Sequence, residues 1–332
     1  MDGNAKYNVL GSYLLVNSIS DKNESVFYFK KMKIVNITGG LGNQMFQYAF
    51  AIALKTQFPK EEVLIDTSHY HYIFSKKWGG INLHNGYEID KVFPNACLKR
   101  ATPSQLMRVT WYMPNYLLSR IIRKLLPPKK TEFIQKREDL FVYQANAMKQ
   151  AGDCYYEGNW ESIRFFSECR AEVQRVFMHG KPNDVNLEYI GQMRKEESVA
   201  IHVRRGDYIN TSKWSGICTL DYYKKSIDTI LADGKRHSFY IFSNDIPWCV
   251  ENIKPLLTGH EIMFVTENKG NDSCWDMFLM TYCQDLIIAN SSFSWWGAFL
   301  NNRGGRVIAP SRWLNEDRKV EVWLDEWIKI NV

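Results

Sequence analysis

Ile34-Val35-Asn36-Ile37-Thr38-Gly39-Gly40-Leu41-Gly42-Asn43-Gln44, with Val63-Leu64-Ile65-Asp66 downstream, decides how the rest of the chain is read. The β-branched run at 34–37 predicts a short strand. Glycines at 39, 40 and 42 turn the chain, and Asn43 stands where it would cap a helix over 44–57. Residues 63–66 are a second strand ending in a carboxylate. Strand, turn, helix and strand make a βαβ unit, whose crossover is almost always right-handed. A strand over 154–158 and a helix over 162–177 extend this half. Residues 67–140, punctuated by Pro94, Pro103, Pro114, Pro127 and Pro128, read as loops and helices.

A polar stretch at 179–187 with Gly180, Pro182 and Asn183 reads as a linker. Beyond it the alternation resumes. Strands are expected at 199–203, 239–242, 262–265, 286–289 and 307–309. Helices are expected at 220–233, 247–253, 273–282, 293–301 and 320–330. The pattern predicts an α/β fold of two Rossmann-like domains, 32–178 and 188–332, facing a cleft. Residues 1–31 are polar and irregular, and Met32 reads like a second beginning, so an N-terminal extension is expected there.

Composition narrows the function. The 332 residues are 45% hydrophobic and 23% charged, which excludes disordered and collagenous chains. The net charge of +6 is too mild for a nucleic-acid arm. It is concentrated between Lys99 and Arg137, where ten basic residues face one acid, Glu132. Aromatic residues at 14% serve mainly the core, but also suit surfaces that meet sugar C–H faces. Seven scattered cysteines without a Cys-x-x-Cys pair read as free thiols in a reducing compartment, and zinc has no ligand cluster. The charge-free run 34–54 is broken by polar residues and glycines, so no membrane span is predicted, and residues 1–31 lack the features of a signal peptide.

Four segments could carry chemistry. Ile201-His202-Val203-Arg204-Arg205-Gly206-Asp207-Tyr208 sits where a strand ends, the edge at which open α/β sheets bind ligands. Two arginines there suit phosphate, each charge-assisted bond contributing roughly 1.5–3 kcal/mol. Asn290-Ser291-Ser292-Phe293-Ser294 delivers small polar residues to a helix start, where backbone N–H groups and the helix dipole favour anions. Ser243-Asn244-Asp245 offers a carboxylate for a purine edge or ribose. Gly39–Gln44 lets backbone approach a ligand, but Met45 stands where a dinucleotide fingerprint needs glycine, and no Walker motif occurs. The first three have plainer counterparts: an arginine pair bridged to Asp207, a Ser N-cap, an Asn-Asp turn. Together they suit a nucleoside diphosphate held across a cleft, with arginine rather than a metal balancing its charge.

At this point the residues resemble a known family. His202-Val203-Arg204-Arg205-Gly206-Asp207-Tyr208, Gly39-Gly40-Leu41-Gly42-Asn43-Gln44-Met45-Phe46-Gln47-Tyr48 and Asn290-Ser291-Ser292-Phe293-Ser294-Trp295-Trp296-Gly297-Ala298 resemble the bacterial α-1,2-fucosyltransferases, glycosyltransferase family eleven, related to the blood-group H-type enzymes. Gly158-Asn159-Trp160 and Asp276-Met277-Phe278-Leu279-Met280 are similar to that family too. The resemblance runs from Met32 to Trp313 and implies a GT-B-type fold. It implies inverting transfer of L-fucose from GDP-β-L-fucose to the 2-hydroxyl of a terminal β-galactoside, with no metal or other cofactor required. It assigns the donor β-phosphate to Arg204, supported by His202 and Arg205, and the phosphates to Ser291, Ser292, Phe293 and Ser294. Gly42, Asn43 and Gln44 become donor contacts, and Asp245 reads guanine or ribose. For the acceptor proton, Asp207 is the first candidate and His202 the second.

Three rivals remain at this stage. Another GDP-sugar transferase of different sugar or linkage shares every motif. A non-catalytic glycan-binding protein has no use for two phosphate-type arginines, and a nicotinamide-dependent dehydrogenase lacks its glycine at position 45. The implied setting is the bacterial cytoplasm or its inner membrane face. Residues 117–130, basic and apolar near helical period, are a candidate contact with an anionic membrane carrying lipid-linked acceptors, or else a solvated helix on its own domain.

Overall fold

The computed structural model describes residues 30–71, 85–113 and 116–332. Strand β1 (Met32–Asn36) is buried along its whole length, as a central parallel strand covered on both faces must be. Even Lys33 is enclosed. Its ammonium donates to the carbonyls of Gln150 and Gly152 and pairs with Glu61 at 3.2 Å, which offsets its loss of water. β2 (Glu62–Asp66), β3 (Lys99–Arg100), β4 (Glu132–Ile134) and β5 (Cys154–Glu157) join β1 in an all-parallel sheet ordered β3-β2-β1-β5-β4. β3 and β4 lie in the 67–140 stretch read as loops and helices. At two and three residues they are too short to carry a periodicity.

A second all-parallel sheet holds β6 (Ser198–Val203), β7 (Ser238–Ser243), β8 (Glu261–Val265), β9 (Asp285–Ile287), β10 (Val307–Pro310) and β11 (Ile328–Ile330) in the order β11-β10-β9-β6-β7-β8. β6 and β7 pair from Ser198↔Ser238 to Val203↔Ser243. All strands run the same way, but the order in which the chain adds them reverses between β1 and β5 in the first sheet and between β6 and β9 in the second. These are the switch points outside which α/β sheets hold ligands.

The helix Leu41–Gln57 packs on the helix Ser292–Leu300 and joins the two halves through one apolar core. Phe46 lies 4.5 Å from Trp295 and 4.9 Å from Trp296, ring centre to ring centre. Both tryptophans are fully buried, so they are core rather than a sugar platform.

Four expectations need correction. The first helix starts at Leu41 with Gly40 at its N-cap, so Asn43 lies in its first turn and caps nothing. Its Oδ1 instead accepts from Ser292 Oγ at 2.9 Å. The helix expected over 162–177 is two 3-10 turns followed by Arg170–Val176. The helix expected over 320–330 does not form. Its apolar residues bury with a period of two at Val322 and Leu324, and its backbone is engaged elsewhere: Glu321 N donates to Phe141 O, and Val322 O accepts from Trp295 Nε1. The 179–187 linker is short, because a helix begins at Asp184 with Asn183 as its side-chain cap.

Candidate active site

The carboxyl ends of both sheets border one cavity of about 600 Å3. From β1 comes the Gly40–Asn43 turn and from β5 the residues Asn159 and Glu161. From β6 come His202 and Arg204, and from β9 the run Asn290–Phe293. The two helices that start here, at Leu41 and at Ser292, have neither a side-chain cap nor an acidic residue in their first turn. Their positive ends and orphan N–H groups therefore remain available to an anion. They are tied together at the cavity, Ser292 to Asn43 and Trp296 Nε1 to Gly42 O at 2.9 Å. A charged, dipole-lined pocket with N–H groups facing it suits an anion such as phosphate.

Arg204 adds a full positive charge, its guanidinium carbon 5.5 Å from the centre of the Tyr208 ring. His202 beside it is 5% exposed, and its Nδ1 has no hydrogen-bond partner among the described residues. Burial, reinforced by the Arg204 charge, pulls its pKa down to about 3. The imidazole is therefore neutral at physiological pH and a weak base there.

Other expected site residues are placed elsewhere. Arg205 turns away to pair with Asp245 at 3.1 Å and lies over the Trp248 ring. Asp245 also accepts from Trp248 N as the cap of the helix Ile246–Asn252. Gln44 is fully buried, bonding Gly39 O, Gly86 O and Glu88 N. The Ser294 hydroxyl returns to the carbonyls of Ala289 and Ser291. These four shape the site without lining it. Asp207 belongs to the helical turn Gly206–Ile209, and its side chain lies outside the described residues.

The cavity also holds carboxylates that sequence reasoning missed. Glu161 is 4% exposed, and burial pushes its pKa up to about 8 against the pull of Lys213 and of Asn159, whose Nδ2 donates to Oε1 at 3.0 Å. Asp276 is raised to about 7 by burial, Asn268 opposing. Glu88 is raised for the same first cause. Glu161 is presented by a strained turn. Trp160 has φ of 59°, a left-handed conformation costing about 1–3 kcal/mol in a bulky residue. Stacking of Trp160 on Phe50 at 4.0 Å and bonds from Asn159 N and Trp160 N to Gln135 Oε1 hold it. The Gly158-Asn159-Trp160 likeness was the available signal, but it stopped one residue short.

Two parallel, doubly wound sheets facing a phosphate-suited cleft at their strands' carboxyl ends define the GT-B arrangement of glycosyltransferases. The chain belongs to glycosyl transferase family 11, whose profile matches residues 133–331. It is 30% identical to the Escherichia coli alpha-1,2-colitosyltransferase over 310 residues, covering 90% of this chain and 98% of that one. It is 27% identical to the Escherichia coli O-antigen biosynthesis glycosyltransferase WbnK, covering 89% of this chain and 99% of that one. Human galactoside alpha-(1,2)-fucosyltransferase 1 is 27% identical over 51% of this chain and 50% of its own. The chain is a glycosyltransferase of this bacterial α-1,2-fucosyltransferase family.

Proposed function

We propose that the chain moves L-fucose, with inversion, from GDP-β-L-fucose to the 2-hydroxyl of a terminal β-galactoside. In this reading the 188–332 half holds the donor and the 32–178 half the acceptor. The observation that carries it is the convergence of two uncapped helix N-termini and Arg204 on one cavity. Leu41, Gly42 and Asn43 would approach the diphosphate from one side, and Ser291, Ser292 and Phe293 from the other. Asp276, rather than Asp245, is the carboxyl available for the nucleoside.

In the reaction the acceptor oxygen bonds to the anomeric carbon as the carbon–phosphate-oxygen bond breaks. The electron pair leaves with GDP, where Arg204 meets the growing charge. The hydroxyl proton passes to Glu161. This carboxylate suits the task better than His202, because a base works best with a pKa near the working pH. Its Oε1 is held by Asn159, and among the described residues no donor reaches Oε2. Lys213 is the charged group acting on Glu161, while Arg204 and His202 reach the cavity from the other sheet. Glu161→Gln keeps the shape and the Asn159 bond. Its expected effect is a fall in kcat of about 10²-fold or more, with loss of the wild-type rise in rate as pH passes through about 8. A kcat–pH profile checks this, and an unchanged acid limb would remove Glu161 from the role.

A second donor is favoured by the colitosyl name of one relative. Colitose is fucose without its 3-hydroxyl. GDP release from GDP-fucose and from GDP-colitose, with and without lactose and in EDTA, tests the reading. Lactose-stimulated release from GDP-fucose that survives EDTA supports it, and release from GDP-colitose alone supports the second donor. No release from either overturns both.

Membrane contact is part of the proposal. On the helix Tyr116–Leu125, Leu118, Ile121 and Leu125 are exposed along one stripe, with Lys124 and Lys130 exposed beside it. An apolar stripe flanked by lysines complements anionic lipid, and would place the enzyme on the inner membrane face. Among the described residues no helix is long and apolar enough to cross a membrane. Co-sedimentation with phosphatidylglycerol vesicles, absent with phosphatidylcholine and lost in Leu125→Glu, is expected. No sedimentation with either would sink the idea.

A further inference from the structure

A second hollow of about 360 Å3 lies over the carboxyl ends of β1, β2, β4 and β5, and Asn159 lines both it and the larger cavity. Its floor contains an unfinished hydrogen-bond relay. Asn36, the last residue of β1 and 8% exposed, donates from Nδ2 to Tyr155 Oη, which donates to Asp66 Oδ2 at 2.8 Å. The other end of the Asn36 amide, Oδ1, is buried without a partner among the described residues. Turning the amide over only moves the orphan from one atom to the other. Arg123 contributes a second orphan. Its Nη2 is held by Glu132 and Glu157, but its Nε is buried with no partner among the described residues. Buried polar groups left without partners are disfavoured unless a ligand supplies what is missing.

The rest of the lining states what kind of ligand. Trp111 and Tyr112 offer aromatic rings, and Trp111 is held by its Nε1 bond to Pro127 O at 2.9 Å. The Arg123 charge is already met by two glutamates, and Asp66 disfavours an anion. Orphan hydrogen-bonding groups beside flat rings, with Arg120 and Arg123 outnumbered by Asp66, Glu132 and Glu157 and so no surplus positive charge for an anion, match a neutral sugar.

We propose that this hollow binds the body of the acceptor glycan, namely the sugar linked to the residue that is modified, and so selects the acceptor. This rests on the transferase reading above. The modified sugar would then lie past Asn159, beside Glu161, in the larger cavity.

The test compares wild type, Trp111→Ala and Asn36→Ala by titration calorimetry, in the presence of GDP. The probes are lactose, N-acetyllactosamine, lacto-N-biose and methyl β-galactoside. GDP affinity, expected unchanged, reports that the variants fold. A loss of about tenfold or more in affinity for at least one disaccharide, with methyl β-galactoside affected far less, supports the hollow. Equal losses for monosaccharide and disaccharides, unchanged affinities in Trp111→Ala, or binding of no disaccharide by wild type would each overturn it. The measurement needs no turnover. Disaccharide binding that depends on Trp111 in a protein that transfers nothing from GDP-fucose would keep the hollow and discard the donor. Transfer from GDP-fucose to lactose that Trp111→Ala leaves unchanged would do the reverse.

Discussion

Arg204→Ala is expected to lower kcat/KM for donor turnover by about 10²–10³-fold, the range seen when one preorganised charge-stabilising donor is removed. Arg204 leaves the end of β6 and lines the cavity where two helix N-termini already meet. Those dipoles act on the diphosphate in both ground and transition states. The arginine carries a whole charge next to a buried, neutral His202, so its attraction grows as the leaving group gains charge. The loss should therefore fall mainly on kcat, which separates this role from uniform binding, where KM alone would rise. Arg204→Lys should recover only part, because a point charge lacks the planar fork. Steady-state GDP release for the three proteins decides it. A rise in KM with kcat intact would reduce Arg204 to a ground-state contact.

Gly42→Ala should be the most damaging single methyl in the cleft. A Cβ on Gly42 would lie 2.6 Å from Ser292 Oγ, 2.8 Å from Ser292 C and 2.9 Å from Phe293 N. Two of these atoms are backbone, so no rotamer relieves the clash and the two helices must separate. That separation opposes the Trp296–Gly42 and Ser292–Asn43 bonds that bring both anion-binding ends together. Overpacking of this kind costs about 1–3 kcal/mol, and weaker GDP binding should accompany it. Gly191→Ala is the control. Gly191 sits inside the helix Asp184–Lys195 with nothing within 4 Å of its would-be Cβ. It should stabilise by about 0.4–1 kcal/mol and leave GDP affinity alone. Thermal melts and GDP titrations of both variants make the comparison, and equal melting and affinity for the two would show the cleft to be softer than its geometry.

The strands that build the switch points were legible because buried parallel strands read as short, continuous apolar runs. The stretches at 34–37, 63–66, 199–203 and 239–242 are all of this kind. The loops that line the cavity were legible for a related reason. Glycine turns and small polar residues after a strand act through backbone within a few positions, so Gly40–Asn43 and Ser291–Phe293 reach the cavity their local pattern suggested. Where pattern was weak, reading failed. β3, β4 and β11 have two or three residues each, and the apolar positions at 320–330 fit a helix only when their partners Phe141 and Trp295 are out of view.

The sequence by itself determined two parallel α/β halves, the family, and the loops that border the cavity at the strands' carboxyl ends, because those depend on interactions between residues near one another in the chain. Tertiary structure alone decided which charged groups face the cleft. Arg204 and Arg205 are adjacent, yet Arg205 pairs with Asp245, forty positions away, while Arg204 lines the cleft. Glu161 is one carboxylate among many in the chain until a left-handed Trp160 and burial raise its pKa, and His202 becomes a poor base for the same reason of burial. Desolvation and pairing are set by everything within a few ångströms, and that neighbourhood is assembled from segments up to 250 residues apart.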